Sequence, residues 1–460
     1  MNKIVKIVLI VIVVILIISS SIYIGYIIGR KEVSNCEIKE DSNKTNLNID
    51  KPPVKPDDDI SKPIEENISV ISSGVKEITS NEEIVENLES SEENKSVILV
   101  KDGGSAKISN VTITKSSGDV SNIESSEFKG VNSGILVEKD SNIEIDNTKI
   151  ITNAKGSNAI FATGDNSKIV IKNSEIMTKG SNGSRGLDVT YNGSIDADNV
   201  IITTNGESSA ALATDKGEGN INVINSNLTT NGKGSPIIYS TGNISISETN
   251  GVSNASQMVV IEGKNSATVN SSNLIASGVG NRNNVDNCGI MIYQSMSGDA
   301  SIGKGVFTVV DSSLEISNSS SVYKTAPLFF ITNTLAEINI TNTKIAYGSN
   351  ILASVVGTNE WGNALNNGGN LVLNAKNQSL RGNIIVDKIS TLELNLVNSA
   401  YRGMINNGNI AKEVKIKLDK DSKIILTGDI YVTSLENEDT TNSNIDFKSY
   451  KLYVNGVAIN

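Results

Sequence analysis

The chain has 460 residues, with 51 acidic and 40 basic side chains, a formal net charge of −11 and no histidine. The acidic balance argues against a nucleic-acid partner, because phosphate binding requires clustered Lys and Arg. Without histidine there can be no Ser-His-Asp triad and no His-ligated metal. The two cysteines, Cys36 and Cys288, lie too far apart along the chain to indicate a disulfide framework or a Cys-rich metal site, and Cys288 falls among small and apolar positions, which predicts burial.

The amino terminus carries an uncharged apolar run at residues 7–28. A run of this length can cross a bilayer as a helix, and it exceeds the apolar region of a secretory signal. Tyr23 and Tyr26 lie near one end, as interfacial aromatic residues do. We therefore expect a single-pass signal-anchor in the cell membrane, with residues 1–6 as a short cytoplasmic tail and the remainder of the chain extracellular. The alternative is a long signal peptide cleaved near residues 19–21.

Residues 29–95 contain four of the six prolines and many acidic side chains. Low hydrophobicity, proline and like charges predict an extended, disordered stalk. Within it, Asn81 could serve as the N-cap of a short amphipathic helix whose apolar face holds Ile84, Val85 and Leu88.

Residues 96–460 show a repeat of 26 residues, which is most regular at four asparagines. Apolar residues and threonines recur at constant distances from these asparagines, and each repeat contains two or three short strand-like runs. This pattern predicts a parallel β-helix of about 13 rungs, about 60 Å tall. An asparagine at a tight turn tolerates left-handed dihedrals, and identical amides stacked one rung apart can form a ladder. The four asparagines are Asn147, Asn173, Asn199 and Asn225.

The second strand of each repeat is apolar at two adjacent positions, so one of the two columns must face outward. This predicts either an exposed apolar interaction stripe or a stripe covered by a loop, by the stalk or by an insertion at residues 278–286. We expect residues 445–459 to close the open end of the solenoid. The two predicted columns are Phe161, Leu212, Ile238, Val260, Met291, Phe329 and Ile160, Leu187, Ala211, Ile237, Val259, Ile290, Leu328.

Four segments carry a family resemblance: SRGLD at 184–188, ATDKGEG at 213–219, IEGKNS at 261–266 and IYQSMSGD at 292–299. With the repeat, they make residues 95–460 similar to the right-handed parallel β-helix, or pectate-lyase-like, superfamily, and within it to adhesin-like surface proteins of clostridial bacteria. The resemblance implies an all-β solenoid at the cell surface. It implies no activity, and the polygalacturonase branch is excluded because its site uses a histidine.

Non-repetitive polar residues in the second strand column are the candidates for chemistry. Arg185 with Asp188, Asp215 and Glu262 would suit cation-assisted elimination or hydrolysis by two carboxyl groups. The aligned repeats place Asp188 and Asp215 one rung and three strand positions apart, about 11 Å between backbones, whereas hydrolase pairs lie about 5–9.5 Å apart. Candidate ligand-binding residues are Tyr191, Lys216, Lys264, Tyr293, Gln294 and the single tryptophan Trp361, which could stack on a sugar or form a packed loop tip.

No cofactor or resident metal is expected, although oxygen donors and glycines at residues 215–220 leave Ca²⁺ open. Three functional hypotheses follow. The first is a membrane-anchored extracellular β-helix for adhesion or glycan binding, without catalysis. The second is a polysaccharide lyase or glycoside hydrolase acting along a groove. The third is a structural envelope protein without a specific ligand, and the sequence favours the first.

Overall fold

A computed structural model describes residues 70–460 of the chain. The predicted cytoplasmic tail, the membrane anchor at 7–28, Cys36 and the stalk up to residue 69 lie outside these described residues. Among residues 70–460, no helix combines the length and apolarity needed to cross a bilayer.

The described chain winds through parallel sheets, and each strand pairs with its counterpart one turn later. Strands are numbered along the chain. Sheet A contains β1 Gly74–Ile78, β4 Ser96–Val100, β7 Ile135–Val137, β10 Ile160–Thr163, β13 Leu187–Thr190, β16 Leu212–Thr214, β19 Ile238–Ser240, β22 Val259–Glu262, β25 Ile290–Tyr293, β28 Phe329–Thr332, β31 Ile351–Val355 and β34 Asn383–Val386.

Sheet B is the longest, with 14 strands. It contains β2 Asn81–Ile84, β5 Ser105–Ser109, β8 Asn142–Asp146, β11 Lys168–Lys172, β14 Ser194–Asp198, β17 Asn220–Ile224, β20 Asn243–Ser247, β23 Ser266–Asn270, β26 Lys304–Val310, β29 Thr334–Thr341, β32 Gly369–Lys376, β35 Thr391–Val397, β37 Glu413–Leu418 and β40 Ser434–Asn437. Sheet C contains β3 Leu88–Ser90, β6 Thr112–Lys115, β9 Lys149–Thr152, β12 Glu175–Thr178, β15 Ile201–Thr204, β18 Asn227–Thr230, β21 Asn250–Ser253, β24 Asn273–Ala276, β27 Ser313–Ile316 and β30 Lys344–Ala346.

Two short sheets complete the carboxyl end. Sheet D contains β33 Ser379–Arg381, β36 Ala400–Gly403, β38 Lys423–Leu426 and β41 Ile445–Asp446, and sheet E contains β39 Ile430–Val432, β42 Leu452–Val454 and β43 Val457–Ala458. Strands β42 and β43 are antiparallel, whereas the other strand pairs of the described residues are parallel. Because a hairpin occupies the last edge of sheet E, residues 445–459 lie where the closing segment was expected.

The predicted parallel β-helical architecture is thus present, and its core is the column of inward side chains. Successive residues of a strand point to opposite faces. In β11, Ile169 and Ile171 are buried, whereas Lys168 and Lys172 point to solvent. The same positions of β14 hold Ile195 and Ala197, so every rung adds its apolar side chains to one continuous core.

The recurring asparagines lie at the corner between sheets B and C, as turn residues. Eleven consecutive turns along this edge, the last two of which lead from sheet B into sheet D, have φ between 43° and 59°. Eight of these turn residues are asparagines, which tolerate the left-handed region. The amides also form the expected ladder, since Asn199 Nδ2 donates to Asn173 Oδ1 at 2.8 Å and Asn147 Nδ2 donates to Asn110 Oδ1 at 2.7 Å. The turn interpretation is therefore confirmed.

A serine or threonine follows most of these turn residues and forms a hydroxyl column, which the sequence reasoning missed. Ser226 Oγ accepts from the backbone N–H of Val200 on the preceding rung at 3.1 Å and donates to the carbonyl of Ile224 on its own rung at 2.6 Å. Ser174 does the same for Thr148 and Lys172. Because a buried backbone N–H requires a partner, these hydroxyls stabilise the corner where the sheet ladder is interrupted.

The solenoid begins earlier than predicted. Strands β1, β2 and β3 form a first rung inside the segment expected to be disordered up to residue 95, and Asn81 lies in strand β2, not at a helix N-cap. Asn81 pairs with Ser105 and Ile84 with Ile108. The boundary at 95 and the helix were wrong because the polar and acidic side chains of this rung face solvent while Ile78 and Ile84 are buried against the next rung.

The outward apolar column of sheet A is covered over much of its length. Leu99, Leu136 and Phe161 are fully buried under helix α1 (Ile123–Lys129) and its C-cap Gly130. Gly130 has a φ of 68°, and a Cβ there would lie 2.4 Å from the Phe161 ring, so glycine permits both the turn and the close approach.

Farther along the same column, Val260, Met291 and Phe330 form a second covered cluster with Trp361 and the fully buried Cys288, as predicted for this cysteine. The predicted columns were partly out of register. Leu212, Ile238 and Phe329, which were assigned to the column of Phe161, belong to the inward column of Ile160. The outward column that contains Phe161 consists of Phe161, Asp188, Ala213, Tyr239, Val260, Met291 and Phe330.

Candidate functional site

The register of sheet A brings two candidate carboxyl groups together between the two covered apolar clusters. Asp188 pairs with Ala213, so Asp215 lies one rung and two positions away. The predicted offset of three positions was wrong. An offset of two keeps both residues on the same, outward face, because side chains alternate along a strand.

Arg185 joins these carboxylates. Its Nη1 contacts Asp188 Oδ2 at 2.7 Å, and its Nη2 contacts Asp215 Oδ2 at 2.8 Å and Glu127 Oε1 of helix α1 at 3.7 Å. Because both aspartates contact one planar guanidinium, their bound oxygens lie within about 8 Å of each other. This upper bound is compatible with the separation of about 5–9.5 Å between the carboxyl pairs of glycoside hydrolases.

The same cluster is closed to solvent. Arg185 is 7% exposed, Asp215 5% and Asp188 0%. An extended polymer therefore cannot reach these carboxylates in this conformation, and Arg185 occupies the space between them. Asp188 Oδ1 is buried without a hydrogen-bond partner.

Burial controls the protonation of this cluster. It raises the pKa of Asp188 to about 6 although Arg185 lowers it, and it raises the pKa of Asp215 well above its ordinary value for the same reason. Burial also disfavours the charged form of Arg185, but the nearby carboxylates outweigh it and raise the pKa of this guanidinium. The single positive charge of Arg185 thus faces three acidic side chains, Asp188, Asp215 and Glu127, and cannot neutralise all of them.

The fourth catalytic candidate, Glu262, belongs to a separate buried cluster. Tyr239 Oη and Tyr293 Oη donate to Glu262 Oε2 at 2.9 and 2.8 Å. Burial raises the pKa of Glu262, against the lowering effect of hydrogen bonds from Ser295, Tyr293 and Tyr239. Glu262 aligns with Thr241 on the rung between it and Asp215, so its backbone lies two rungs, about 10 Å, from that of Asp215.

The candidate binding residues do not form one open surface. The Lys129 ammonium lies 3.9 Å from the ring centre of Tyr191, and the Lys216 ammonium lies 5.0 Å from that of Phe128 in helix α1. Lys264 forms an ion pair with Glu218 at 2.7 Å.

Gln294 and Trp361 are buried, at 4% and 7% exposure. Trp361 meets Tyr293 edge-on, with ring centres 5.4 Å apart, and packs against Phe330. Trp361 is therefore a packed loop tip in this conformation and offers no open face for a sugar ring.

The oxygen donors at residues 215–220 do not gather around one point, because the Asp215 carboxylate is bound to Arg185. Within residues 70–460, no group of three or more His, Cys, Asp or Glu side chains is placed to hold a metal ion.

An open groove, which the sequence reasoning did not identify, follows the corner between sheets B and C. One stretch of about 500 Å³ crosses four rungs, and a second stretch of about 700 Å³ lies farther along the same edge, toward sheet D, beyond the rungs of Asn225 and Glu248. Its walls are largely neutral amides and hydroxyls. The first stretch includes Asn147, Asn173, Asn199, Lys149, Glu175 and Ile201, and the second includes Asn342, Thr343, Asn377, Gln378, Ser379 and Arg381. We call this surface the corner groove. In the sequence, the recurring turn asparagines were the feature that could have indicated the corner groove.

Comparison of the chain with protein-family models, curated proteins and solved structures finds no match. The function must therefore be argued from the geometry of the two surfaces, the closed carboxylate clusters and the corner groove.

Proposed function

We propose that this protein is a membrane-anchored, extracellular β-helix that binds glycan chains without catalysis, in adhesion. The observation that carries the proposal is the corner groove. Amide and hydroxyl groups recur along it once per rung, about every 4.8 Å, parallel to the solenoid axis. Such groups can exchange hydrogen bonds with the hydroxyls of an extended polymer without the desolvation cost of buried charge.

The exposed side chains of the first stretch fit this use. Lys149 and Glu175 form an ion pair of 3.1 Å whose side chains are nearly half exposed, and Ile201 beside them is 53% exposed. An apolar side chain among hydrogen-bonding groups suits a sugar, which has both apolar and polar faces. The predicted anchor and stalk would hold this groove away from the membrane. We further propose that the solenoid is right-handed and related to the pectate-lyase-like superfamily, in keeping with the prevalence of right-handed crossovers between parallel strands.

A glycan array probed with the full-length chain in detergent tests this function. Ile201→Arg places a long charged side chain in the corner groove, and Ile385→Arg is the matched control because Ile385 is also an exposed isoleucine, on sheet A. We expect Ile201→Arg to weaken glycan binding at least about tenfold, a change of about 1.4 kcal/mol, and Ile385→Arg to leave it unchanged. Absence of binding to any glycan, with normal adhesion of cells that lack the protein, would refute the proposal and favour the structural envelope hypothesis.

One observation favours the lyase or hydrolase alternative. Asp188 and Asp215 lie within about 8 Å of each other, as hydrolase carboxyl pairs do. Catalysis would require the cover over Arg185 to open. Release of unsaturated or reducing ends from pectin-like or mucin-like polymers, lost in Asp188→Asn, would establish this alternative and displace the non-catalytic function.

A further inference from the structure

The parallel ladder is interrupted where sheet C gives way to sheet D. Strand β30 is the last of sheet C and β33, one turn later, is the first of sheet D, and no backbone hydrogen bond joins them. On either side the two turns stay paired, through β29 with β32 and β31 with β34. We call this gap the ladder break. The second stretch of the corner groove, about 700 Å³, is lined by residues of both β30 and β33, and its volume is typical of ligand sites.

Side chains hold the ladder break at both ends. At one end Gln378 Oε1 accepts from the Thr343 N–H at 2.8 Å, and Gln378 Nε2 donates to the Thr343 carbonyl at 2.7 Å. At the other end Tyr347 Oη donates to the Arg381 carbonyl. These side-chain bonds take the place of the missing backbone ladder at its two ends and leave the backbone between them unpaired.

The unpaired backbone offers hydrogen-bond donors to the groove. The Gln378 carbonyl and the Gly382 N–H bond to the next rung of sheet D, at 2.8 and 2.9 Å. Because the backbone groups of successive strand residues point to opposite edges, the N–H groups of Ser379 and Arg381 point the other way, toward β30. Among the described residues, neither N–H has an acceptor. A ligand in the ladder break can therefore accept hydrogen bonds from both.

Cationic side chains surround the same space. Lys344 of β30 and Arg381 of β33 line the cavity, and Arg402 is in register with Arg381 on the next rung; all three are exposed. Within residues 70–460, none of the three forms an ion pair with a carboxylate. The cavity wall contains one carboxylate, Asp311, which accepts from Asn342 Nδ2 at 2.6 Å. Since like charges on neighbouring strands repel each other, a bound anion would stabilise this arrangement.

The combination of donors fits an oxyanion. Guanidinium and ammonium groups bind carboxylate and sulfate oxygens through charge-assisted hydrogen bonds, and arginine can form two such bonds side by side. Backbone N–H groups that no ladder uses can add to them. The chain as a whole has a net charge of −11 and repels anions, so binding of an anion would have to come from these local donors.

We propose that the ladder break binds an anionic group, a carboxylate or an ester sulfate, carried by the glycan in the corner groove. The Ser379 and Arg381 N–H groups, the Arg381 guanidinium and the Lys344 ammonium contact this group, and Arg402 receives the next one along the polymer. The inference rests on the proposed function, because a glycan supplies the anionic group, and it narrows the ligand class to acidic glycans.

Three dextrans with the same backbone test the preference for anions: dextran, carboxymethyl-dextran and dextran sulfate. Their binding to the full-length chain in detergent can be measured by biolayer interferometry at about 0.15 M salt. We expect one of the two anionic dextrans to bind at least about tenfold more tightly than dextran, and the tighter of the two identifies the carboxylate or the sulfate ester as the preferred group.

Single substitutions locate the binding. Arg381→Gln and Lys344→Gln should each weaken binding of the tighter anionic dextran by about tenfold. Arg282→Gln is the matched control, because Arg282 is an exposed arginine outside the corner groove and its loss changes the net charge equally; it should change binding less than about twofold. The same dextran should slow hydrogen exchange at residues 379–381 in the unaltered chain and in Arg282→Gln, but not in Arg381→Gln.

The possible contrary results have separate meanings. Equal binding of neutral and anionic dextrans, equal losses in Arg381→Gln and Arg282→Gln, or unchanged exchange at residues 379–381 would each overturn the inference. Polyglutamate that binds as tightly as the anionic dextrans and depends on Arg381 would overturn the assignment to a glycan in favour of an acidic peptide. Neutral glycans that bind on the array and do not respond to Arg381→Gln would overturn this inference alone, whereas the absence of any glycan binding would overturn the proposed function as well.

Discussion

Replacement of Arg185 by methionine tests the assignment of this residue as the counter-charge of a closed acidic cluster. The substitution retains most of the apolar stem but removes the guanidinium that contacts Asp188 and Asp215. Removing one partner of a buried ion pair costs about 3–5 kcal/mol, because the remaining charge stays buried without compensation. We expect a loss of this size in the local stability of β13 and β16 at pH 7.

The loss should depend on pH. Arg185 lowers the pKa of both aspartates, so its removal raises these already elevated pKa values further, and both carboxyl groups can be neutral at pH 5 in the variant. The penalty should then fall to about 1–2 kcal/mol, the size of an ordinary packing defect. Hydrogen exchange measured by mass spectrometry reports such local opening, and a loss of 3–5 kcal/mol accelerates opening by about 10²–10⁴-fold.

Lys304→Met is the matched control, because Lys304 forms an ion pair with Glu337 on sheet B in which the lysine side chain is half exposed. Exposed pairs contribute less than about 1 kcal/mol, so this variant should exchange nearly as the unaltered chain does. A loss below 1 kcal/mol for Arg185→Met at pH 7, or an equal loss at pH 5 and pH 7, would refute the assignment.

Three further predictions follow from the structure. In the unaltered chain, the folded pKa of Asp188, about 6, lies above its ordinary value of 3.8, so this residue contributes stability that is fully present below about pH 3.8 and is lost as the pH rises through 6. Exchange of β13 should therefore show about 2–2.5 kcal/mol less protection at pH 7.5 than at pH 4 after correction for intrinsic rates, and a rise in protection would contradict this. Asn173→Ala should lower the free energy of unfolding, measured by calorimetry, by about 1–2 kcal/mol, because alanine is strained at a φ of 50° and the ladder hydrogen bond from Asn199 is lost. Asn173→Gly loses the same hydrogen bond without the strain and should cost less. Equal losses in the two variants would show that backbone strain does not contribute. Trp361→Ala should lower the free energy of unfolding by about 3 kcal/mol and increase the binding of a hydrophobic dye at Phe330. Tyr450→Ala, at an exposed position, is the control and should change neither quantity. An unchanged dye signal in Trp361→Ala would show that Trp361 does not cover Phe330.

The repeat could be predicted from sequence because its physical requirements are local and identical on every rung. An asparagine turn demands a left-handed φ at one residue, and stacking identical turns makes the amide ladder, so a constant spacing along the chain reports both. The burial of Cys288 could be predicted in the same way, from its place among small and apolar positions.

The first rung was missed because a single rung offers too little pattern. In β2, Ile84 is the residue buried against the next rung, and the acidic side chains beside it are tolerated because they point to solvent. Composition averages the two faces of a strand, so a rung with one polar face resembles a disordered segment.

The position of Asp215 relative to Asp188 could not be predicted from the sequence, because it depends on a strand register that must be correct to one residue. The step from Asp188 to its partner Ala213 is one residue shorter than the 26-residue period, and a shift of one position moves a side chain to the opposite face. The covers over sheet A, helix α1 and the loop that carries Trp361, are insertions outside the repeat, and their contacts are with residues distant in sequence.

The sequence by itself therefore determined the parallel solenoid, the corner turns and the acidic, polar outer surface, because each of these properties is repeated in every rung and is visible as a period. Only the tertiary structure decided that the candidate carboxylates are enclosed around Arg185 and beneath Tyr293, and that the open surface is the corner groove. The physical reason is that exposure is set by what packs on a strand from elsewhere in the chain, and a periodic pattern carries no information about such covers.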